Sequence, residues 1–133
     1  MLLIENSFDR NYGGFGTQPK FPLPEVLDLL FIQYKKTHDK KYLGIALKTL
    51  DGMRNGIYDE VDFGFFRYSV TQDWKMPHYE KMLDTNAGLL RNYAVAFNIT
   101  KNEKYRKIAT EVLDYANKFL SDQKNCGFYG SQD

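Results

Sequence analysis

Cysteine is almost absent from this sequence of 133 residues, since Cys126 is the only one. One thiol cannot form an internal disulfide, and without neighbouring histidines or cysteines it does not make a zinc site. The lack of a disulfide framework favours a reducing compartment, so we expect a cytoplasmic protein. Nothing in the sequence indicates a metal or a cofactor.

Neither sign of charge is in excess. Eighteen Lys and Arg against 17 Asp and Glu give a net charge of +1, which is too small to hold a phosphate backbone, so we expect no nucleic-acid partner.

No apolar run approaches the ~20 residues of a membrane span. The opening residues MLLIENSFDR lack the basic region and the long apolar stretch of a signal peptide. We therefore expect no export and no membrane partner.

The remaining composition is that of one folded domain covering residues 1–133. Hydrophobic residues make up 43% of the chain, aromatic residues 16% and charged residues 26%, a balance typical of a folded chain with a single core. Hydrophobic periodicity and helix-end signals predict four helices. They cover residues 24–37, 40–54, 77–99 and 103–121.

The four helices differ in how much apolar surface they carry. The first and third are apolar around most of their circumference and are predicted to lie inside, whereas the second and fourth have one narrow apolar face and are predicted to lie outside. This alternation predicts an all-α fold of two consecutive helical hairpins. Helices with so much apolar surface need neighbours that two hairpins do not supply, so we expect a homo-oligomer formed through the unclosed helical edges.

The second and fourth helices resemble each other at an offset of 63 residues. THDKKYLGIALKTLD (37–51) and TKNEKYRKIATEVLD (100–114) are identical at seven of fifteen positions. Either two helices have converged on one packing pattern, or the chain contains a repeated helical hairpin. Gly-Phe pairs also recur in the long loops, and stacked hairpins place such loops at one end. We therefore predict a functional rim, formed by residues 13–22, 57–78 and 122–133.

Two segments carry a resemblance to a known family. GIYDEVDFGFFRYSVTQDWKMPHYEKMLDTNAGLL and FDRNYGGFGTQPKFPLP resemble the thioredoxin-domain-containing family typified by spermatogenesis-associated protein 20, and the match runs from Phe8 to Asp133. The resemblance implies part of an (α/α) toroid like those of six-hairpin glycosidases and N-acylglucosamine 2-epimerases. It also implies a thioredoxin-like domain and later hairpins, which are not in these residues. Toroids of this kind bind or transform sugars, so the implied ligand is a sugar.

The chain departs from the family pattern at several positions. Asp62 and Phe63 stand where the family has glycines, Phe66 where it has a histidine, and Asp84 with Thr85 where it has a Tyr-Asp pair. An imidazole and a carboxylate are thus missing from positions where they would be catalytic candidates. The chain keeps Arg67, Tyr68, Trp74, Pro77, His78, Glu80, Lys81 and Asn86.

His78 and Glu80 are the candidate catalytic residues, at the predicted start of the third helix. An imidazole and a carboxylate are the minimum for proton transfer to and from a sugar. The alternative is that both side chains only satisfy the loop and the helix terminus. Glu80 and Asp84, one helical turn apart, are either the carboxylate pair of a glycosidase or a solvated pair.

Four residues of the rim are candidates for substrate binding: Arg67, Tyr68, Trp74 and Phe15. Flat rings suit the face of a sugar, and an arginine can clamp a carboxylate or a phosphate. Alternatively, the rings fill the centre of the helical assembly and the arginine binds a local acid or backbone carbonyls.

Two functions therefore stay open at the level of sequence. One is a carbohydrate-related toroid segment, of a sugar-binding, epimerase-like or glycosidase-like kind. The other is a non-catalytic interaction or structural module.

Overall fold

The computed structural model describes all 133 residues and is mainly helical. The helices are α1 (Leu2–Ser7), α2 (Pro24–Thr37), α3 (Lys40–Gly56), α4 (Leu83–Thr100) and α5 (Glu103–Tyr115), and α5 continues as a π-helical turn over Ala116–Leu120. α2 and α3 form one hairpin, and α4 and α5 form the next. The predicted all-α class with two consecutive hairpins is confirmed. None of these helices combines the length and the apolar character needed to cross a membrane.

The tight turns of the two hairpins have the same geometry. His38 and Lys101 end α2 and α4 in the left-handed conformation, with φ of 57° and 58°. Asp39 and Asn102 then cap α3 and α5, each accepting a hydrogen bond from the backbone N–H two residues further on. Because the backbone and the caps repeat along with the sequence, a repeated helical hairpin accounts for the match better than two converging helices do.

α2 and α4 pack against each other, and α3 and α5 lie on their own hairpin partners. The α2–α4 approach is close at Gly88, where an added Cβ would come within 2.6 Å of Pro24 Cβ. Asn92 strengthens this contact by donating to Asp28 Oδ1 over 2.8 Å. The broadly apolar helices thus form the adjoining pair, as the sequence predicts.

The third predicted helix begins later than expected. α4 starts at Leu83, whereas the sequence signals placed its start near Pro77. Residues 77–82 are instead extended, in strands β2 (Pro77–His78) and β3 (Lys81–Met82). A proline tolerated in a first helical turn is also tolerated in a short two-stranded ribbon. Pairing with a distant segment outweighs the local helix signal here.

Six two-residue strands pair antiparallel and bring the long loops together. β1 (Tyr68–Ser69) pairs with β2, β3 with β6 (Ser131–Gln132), and β4 (Ser121–Asp122) with β5 (Gly127–Phe128). In addition, the backbones of Lys20 and Ser69 exchange hydrogen bonds of 2.8 and 2.9 Å. Residues 13–22, 57–78 and 122–133 are therefore joined at one end of the helices. The predicted rim is a continuous surface.

Candidate functional site

Three eight-residue turns of one design lie at the rim and overlap it in sequence. They span residues 8–15, 58–65 and 121–128, and in each the first residue pairs antiparallel with the eighth. The second residue is always aspartate, the sixth has a positive φ and the seventh is glycine. One aspartate oxygen accepts from the backbone N–H groups of the fourth and fifth residues, over 2.9 to 3.3 Å. We call these the first, second and third aspartate turns.

A buried lysine closes the first aspartate turn. Lys20 Nζ donates to Asp9 Oδ2 over 2.6 Å and to the Gly13 carbonyl over 2.9 Å, and Gln72 also donates to Asp9 Oδ2 over 2.8 Å. Burial alone would raise the pKa of Asp9, but the hydrogen bonds from Lys20, Gln72 and the backbone lower it to about 2. The charged carboxylate thus holds the first two loops together.

The second aspartate turn repeats this arrangement with Lys81. Its Nζ donates to Asp59 Oδ2 and to the Phe63 carbonyl, both over 2.7 Å. The ammonium lies 4.4 Å from the centroid of the Tyr115 ring and 5.1 Å from that of Phe66. Burial opposes ionisation of Asp59, yet the bonds from Lys81 and from two backbone N–H groups lower its pKa below the usual value. Since Lys81 lies in β3, this turn is also tied to β6.

A ring cluster of Phe21, Tyr68 and His78 lies beside these turns. β1 and β2 place Tyr68 opposite His78, and the two rings stack with 4.9 Å between centroids and 12° between planes. Phe21 stacks on Tyr68 at 4.8 Å and 28°. Phe21 and His78 are exposed and Tyr68 is half-buried. The ring cluster therefore presents aromatic surface to solvent at the rim.

An ion pair lies on the same ribbon as the ring cluster. Arg67 Nη1 is 3.0 Å from Glu80 Oε2, and the Arg67 N–H donates to the Glu80 carbonyl over 2.7 Å. The register of β1 and β2 would place Arg67 opposite Tyr79, so Tyr79 is an extra residue that forms a bulge. The ribbon thus collects four of the six predicted site residues, with donors and acceptors next to exposed rings.

His78 and Glu80 do not lie at a helix start, contrary to the prediction. Both precede α4, so neither is positioned by a helix terminus. The predicted Glu80–Asp84 pair one helical turn apart is also wrong, because Glu80 lies outside the helix and binds Arg67. The imidazole of His78 makes its contact through its face, on Tyr68. Its nitrogen edge takes part in no hydrogen bond within the chain.

No group of three or more His, Cys, Asp or Glu side chains is close enough together to hold a metal ion. Three carboxylates in or next to the rim are instead paired with cations, in the pairs Asp9–Lys20, Asp59–Lys81 and Glu80–Arg67. The first two of these pairs are buried, whereas the third is accessible to solvent. Arg67 and Glu80 are therefore charged groups beside the ring cluster that a ligand can reach.

The stacking role predicted for Trp74 is wrong, because its side chain is 0% exposed. Its indole N–H donates to the Tyr12 carbonyl over 3.1 Å, and a Cβ added at Gly14 would come within 2.4 Å of its ring. For Trp74 the alternative of a ring that fills the interior is correct. Phe15 is half-buried, with its ring 6.2 Å from that of Phe8, and it is not part of the ring cluster.

Neither the contact of Phe21 with Tyr68 nor the roles of the two buried lysines, Lys20 and Lys81, were predicted from the sequence. A usable signal exists for the turns, since an aspartate precedes each Gly-Phe pair by five residues. No local signal pairs each aspartate with its lysine, because the separations are 11 residues in the first turn and 22 in the second. Phe21 reaches Tyr68 only through the loop contact at Lys20 and Ser69.

No model of a protein family matches the chain. Spermatogenesis-associated protein 20 of Mus musculus is 40% identical over 135 residues, which cover 98% of this chain and 17% of that protein. The chain belongs to the spermatogenesis-associated protein 20 family. It spans about 17% of the length of the relative, so it corresponds to one segment of such a protein.

The chain superposes on solved structures of other proteins. Cellobiose 2-epimerase from Spirochaeta thermophila superposes with a TM-score of 0.86 at 19% identity, over 96% of this chain and 35% of that chain. A family 76 glycoside hydrolase (mannosidase) from Bacteroides thetaiotaomicron superposes with a TM-score of 0.70 at 16% identity, over 81% of this chain and 28% of that chain. These similarities confirm the fold, a segment of an (α/α) toroid.

Proposed function

We propose that this segment of the spermatogenesis-associated protein 20 family binds a carbohydrate at its rim. The observation that carries the proposal is the exposed ring cluster of Phe21, Tyr68 and His78 next to the Arg67–Glu80 ion pair. Sugar rings present an apolar face edged by hydroxyl groups, which suits an aromatic surface flanked by a donor and an acceptor.

Two neighbours of the fold support the choice of ligand. The Spirochaeta thermophila protein is named as a cellobiose 2-epimerase and the Bacteroides thetaiotaomicron protein as a mannosidase. Both names describe action on sugars, and fold similarity raises the expectation of a related ligand without assigning a reaction. The first ligands to test are therefore glucose, mannose and cellobiose.

Within this proposal the ribbon residues have distinct roles. His78 is the acid or base, because its ring nitrogens are free of hydrogen bonds within the chain and its ring is held in place by Tyr68. Arg67 and Glu80 orient the sugar hydroxyls. Tyr68 and Phe21 supply the stacking surface that the sequence analysis assigned to Trp74.

The test is a titration of the full chain with glucose, mannose and cellobiose, followed by nuclear magnetic resonance of the Tyr68, Phe21 and His78 rings. We expect saturable shifts of these signals with at least one sugar and their loss in Tyr68→Ala. Tyr129→Ala is the matched control, because Tyr129 is an exposed rim tyrosine outside the ring cluster. Unmoved ring signals with all three sugars, or equal loss of binding in both variants, would contradict the proposal.

The alternative function, an interaction module, is favoured by an apolar groove. The groove has a volume of about 300 Å³, lies along α4 and α5, and is lined mainly by apolar side chains that include Leu90, Leu113 and Phe128. The internal repeat relates Leu90 to Leu27 of α2, which is fully buried. Because α4 covers α2, the repeat predicts that a further helix covers the groove. A second copy of the chain is the partner we propose.

Sedimentation of the wild type and two variants tests this dimer. We expect a dimer at micromolar concentration and a monomer in Leu113→Glu, since Leu113 is 46% exposed and lines the groove. Leu29→Glu is the matched control, because Leu29 is 44% exposed on α2, away from the groove. A wild-type monomer at all concentrations would exclude the dimer.

A thioredoxin-like domain elsewhere in the protein and a cytoplasmic location stay predictions.

A further inference from the structure

The ion pair of Arg67 and Glu80 is created by the bulge in the β1–β2 ribbon. In a regular ribbon the register would place Arg67 opposite Tyr79. Tyr79 is instead the extra residue of the bulge, and the Arg67 N–H donates to the Glu80 carbonyl over 2.7 Å. The two side chains then meet with 3.0 Å between Arg67 Nη1 and Glu80 Oε2. The backbone thus places the carboxylate beside the guanidinium before any ligand arrives.

A buried amide holds the two chains that carry this ion pair. Asn86 is 0% exposed, and its Oδ1 accepts from the Phe65 N–H over 2.7 Å. Its Nδ2 donates to the carbonyls of Phe65 and Met82, over 3.1 and 2.9 Å. Phe65 lies two residues before Arg67, and Met82 lies two residues after Glu80. Asn86 therefore fixes the distance between the two chains at the base of the ion pair.

The ion pair offers a ligand hydrogen-bonding groups without net charge. Glu80 compensates the charge of Arg67, and the lysines that adjoin the site in sequence, Lys20 and Lys81, are each neutralised by an aspartate. Apart from the bond to Glu80, the guanidinium donates to no other group of the chain. It therefore keeps N–H donors for a ligand, and the carboxylate keeps acceptor capacity. Sugar hydroxyls, which both donate and accept, can use the two groups together.

An anionic group on a sugar meets a different situation. A carboxylate that bound the Arg67 guanidinium would lie close to the carboxylate of Glu80, which already occupies one side of it. Two like charges at about 4 Å repel each other enough to lower an affinity by roughly fivefold in bulk water, and by more beside a protein surface. Arg67 is therefore unsuited to clamp a carboxylate or a phosphate as long as Glu80 is charged.

We propose that Glu80 is a specificity-determining residue that restricts the rim to neutral carbohydrates and excludes anionic ones. The inference rests on the proposed carbohydrate binding and adds the class of ligand to it. It gives the two members of the ion pair separate roles, since Arg67 supplies donors and Glu80 cancels its charge. Without the charge of Glu80, the guanidinium becomes a binding group for a carboxylate.

The test compares sugars that differ only in the group on the sixth carbon: glucose with glucuronate, and mannose with mannuronate. Each sugar is titrated into the isotope-labelled full chain while the ring signals of Phe21, Tyr68 and His78 are followed. We expect the wild type to bind the neutral member of a pair about tenfold more tightly than the uronate. In Glu80→Gln, which keeps an oxygen but loses the charge, we expect this ratio of affinities to fall about tenfold. The Arg67 Nε–H signal is expected to move with uronate in this variant only.

Glu60→Gln is the matched control. Glu60 is also bound by an arginine, Arg54 of α3, so the variant removes the same charge and releases an arginine outside the ring cluster. It is expected to leave the ratio of affinities unchanged. Added salt is expected to weaken the preference of the wild type, because it screens the repulsion of the charged sugar.

The outcomes separate this inference from the proposed function. A wild type that binds the uronate at least as tightly as its neutral partner, or a ratio that is the same in Glu80→Gln, overturns the role of Glu80 and leaves carbohydrate binding intact. If none of the four sugars binds to the wild type, the proposed function fails and the inference fails with it.

Discussion

At the scale of single residues, two buried lysines hold the loops of the rim together. Lys20 is 0% exposed and Lys81 is 5% exposed, and each binds one aspartate and one backbone carbonyl. A buried charge is costly to desolvate, so such a pair contributes stability only when its hydrogen bonds are satisfied. Both pairs meet this condition. Loss of one partner leaves the other charge buried and unpaired.

Lys20→Met is expected to lower the free energy of unfolding by about 3 to 5 kcal/mol, because Asp9 then lies buried without its cation. Denaturant unfolding measures this loss. In Lys41→Met the expected loss is much smaller than in Lys20→Met, since Lys41 and its partner Glu5 are accessible to solvent. Adding Asp9→Asn to Lys20→Met should restore part of the stability. No recovery in that double variant would contradict the ion-pair account.

The pKa of Asp9 also predicts a dependence of stability on pH. The pKa of Asp9 is lowered from 3.8 to about 2 in the fold, so in that interval the unfolded chain binds more protons than the folded chain. The contribution of the Asp9 carboxylate to the free energy of unfolding is therefore fully present above the pKa of the unfolded chain. It is lost as the pH falls through the pKa of the folded chain. The expected loss is about 2 kcal/mol. Unfolding measured at several pH values should show a shallower decline in Asp9→Asn than in the wild type.

At the scale of elements, the glycines of α3 decide how closely the first and second loops approach the helix. A Cβ at Gly52 would lie 2.2 Å from the Tyr12 carbonyl, and one at Gly56 would lie 2.2 Å from the Trp74 carbonyl. Backbone atoms cannot move aside as a side chain can. The loops that carry Tyr12 and Trp74 therefore pack directly against the backbone of α3.

Gly52→Ala and Gly44→Ala make a matched pair within α3. Gly44 has no atom within 4 Å of an added Cβ, so alanine there is expected to stabilise the chain by about 0.5 to 1 kcal/mol through helix propensity. The same change at Gly52 is expected to destabilise the chain, because the methyl group collides with the Tyr12 carbonyl. Thermal unfolding of both variants measures the two signs. Stabilisation by Gly52→Ala would show that the loop is not held against α3.

Local signals predict the helices well where nothing distant competes. Pro24 and the apolar run after it predict α2 with the observed bounds, and Asp39 and Asn102 predict the starts of α3 and α5. The start of α4 is wrong by six residues, because Pro77 and His78 pair with the strand at Tyr68 instead. That pairing depends on how the loop folds back, which no local pattern encodes.

The candidate site also combines features that the local sequence predicts with features that depend on distant contacts. Its position at one end of the helices and four of its residues, Arg67, Tyr68, His78 and Glu80, follow from the sequence. The burial of Trp74 does not, since it depends on close contact with three glycines in distant segments. The contact of Phe21 with Tyr68 depends likewise on the loop pairing. The sequence thus predicts which residues could take part in chemistry more easily than it predicts whether their side chains are exposed.

At the scale of the whole molecule, two hairpins leave apolar surface at their edges. Ile32 of α2 is 54% exposed, and Leu113 of α5 is 46% exposed beside the groove. The rim, in contrast, is held by two backbone pairings between loops that are far apart in sequence, Lys20 with Ser69 and β3 with β6. The loop end of the molecule is therefore expected to be rigid, and association is expected at the groove along α4 and α5.

Amide hydrogen exchange tests whether the long loops form one structured surface. The N–H groups of Lys20 and Ser69 each donate to the other residue's carbonyl, over 2.8 and 2.9 Å. Both amides are expected to exchange as slowly as the amides in the middle of α2 and α4, because opening them requires separating two loops. Exchange of either amide at the rate of unstructured chain would contradict the account.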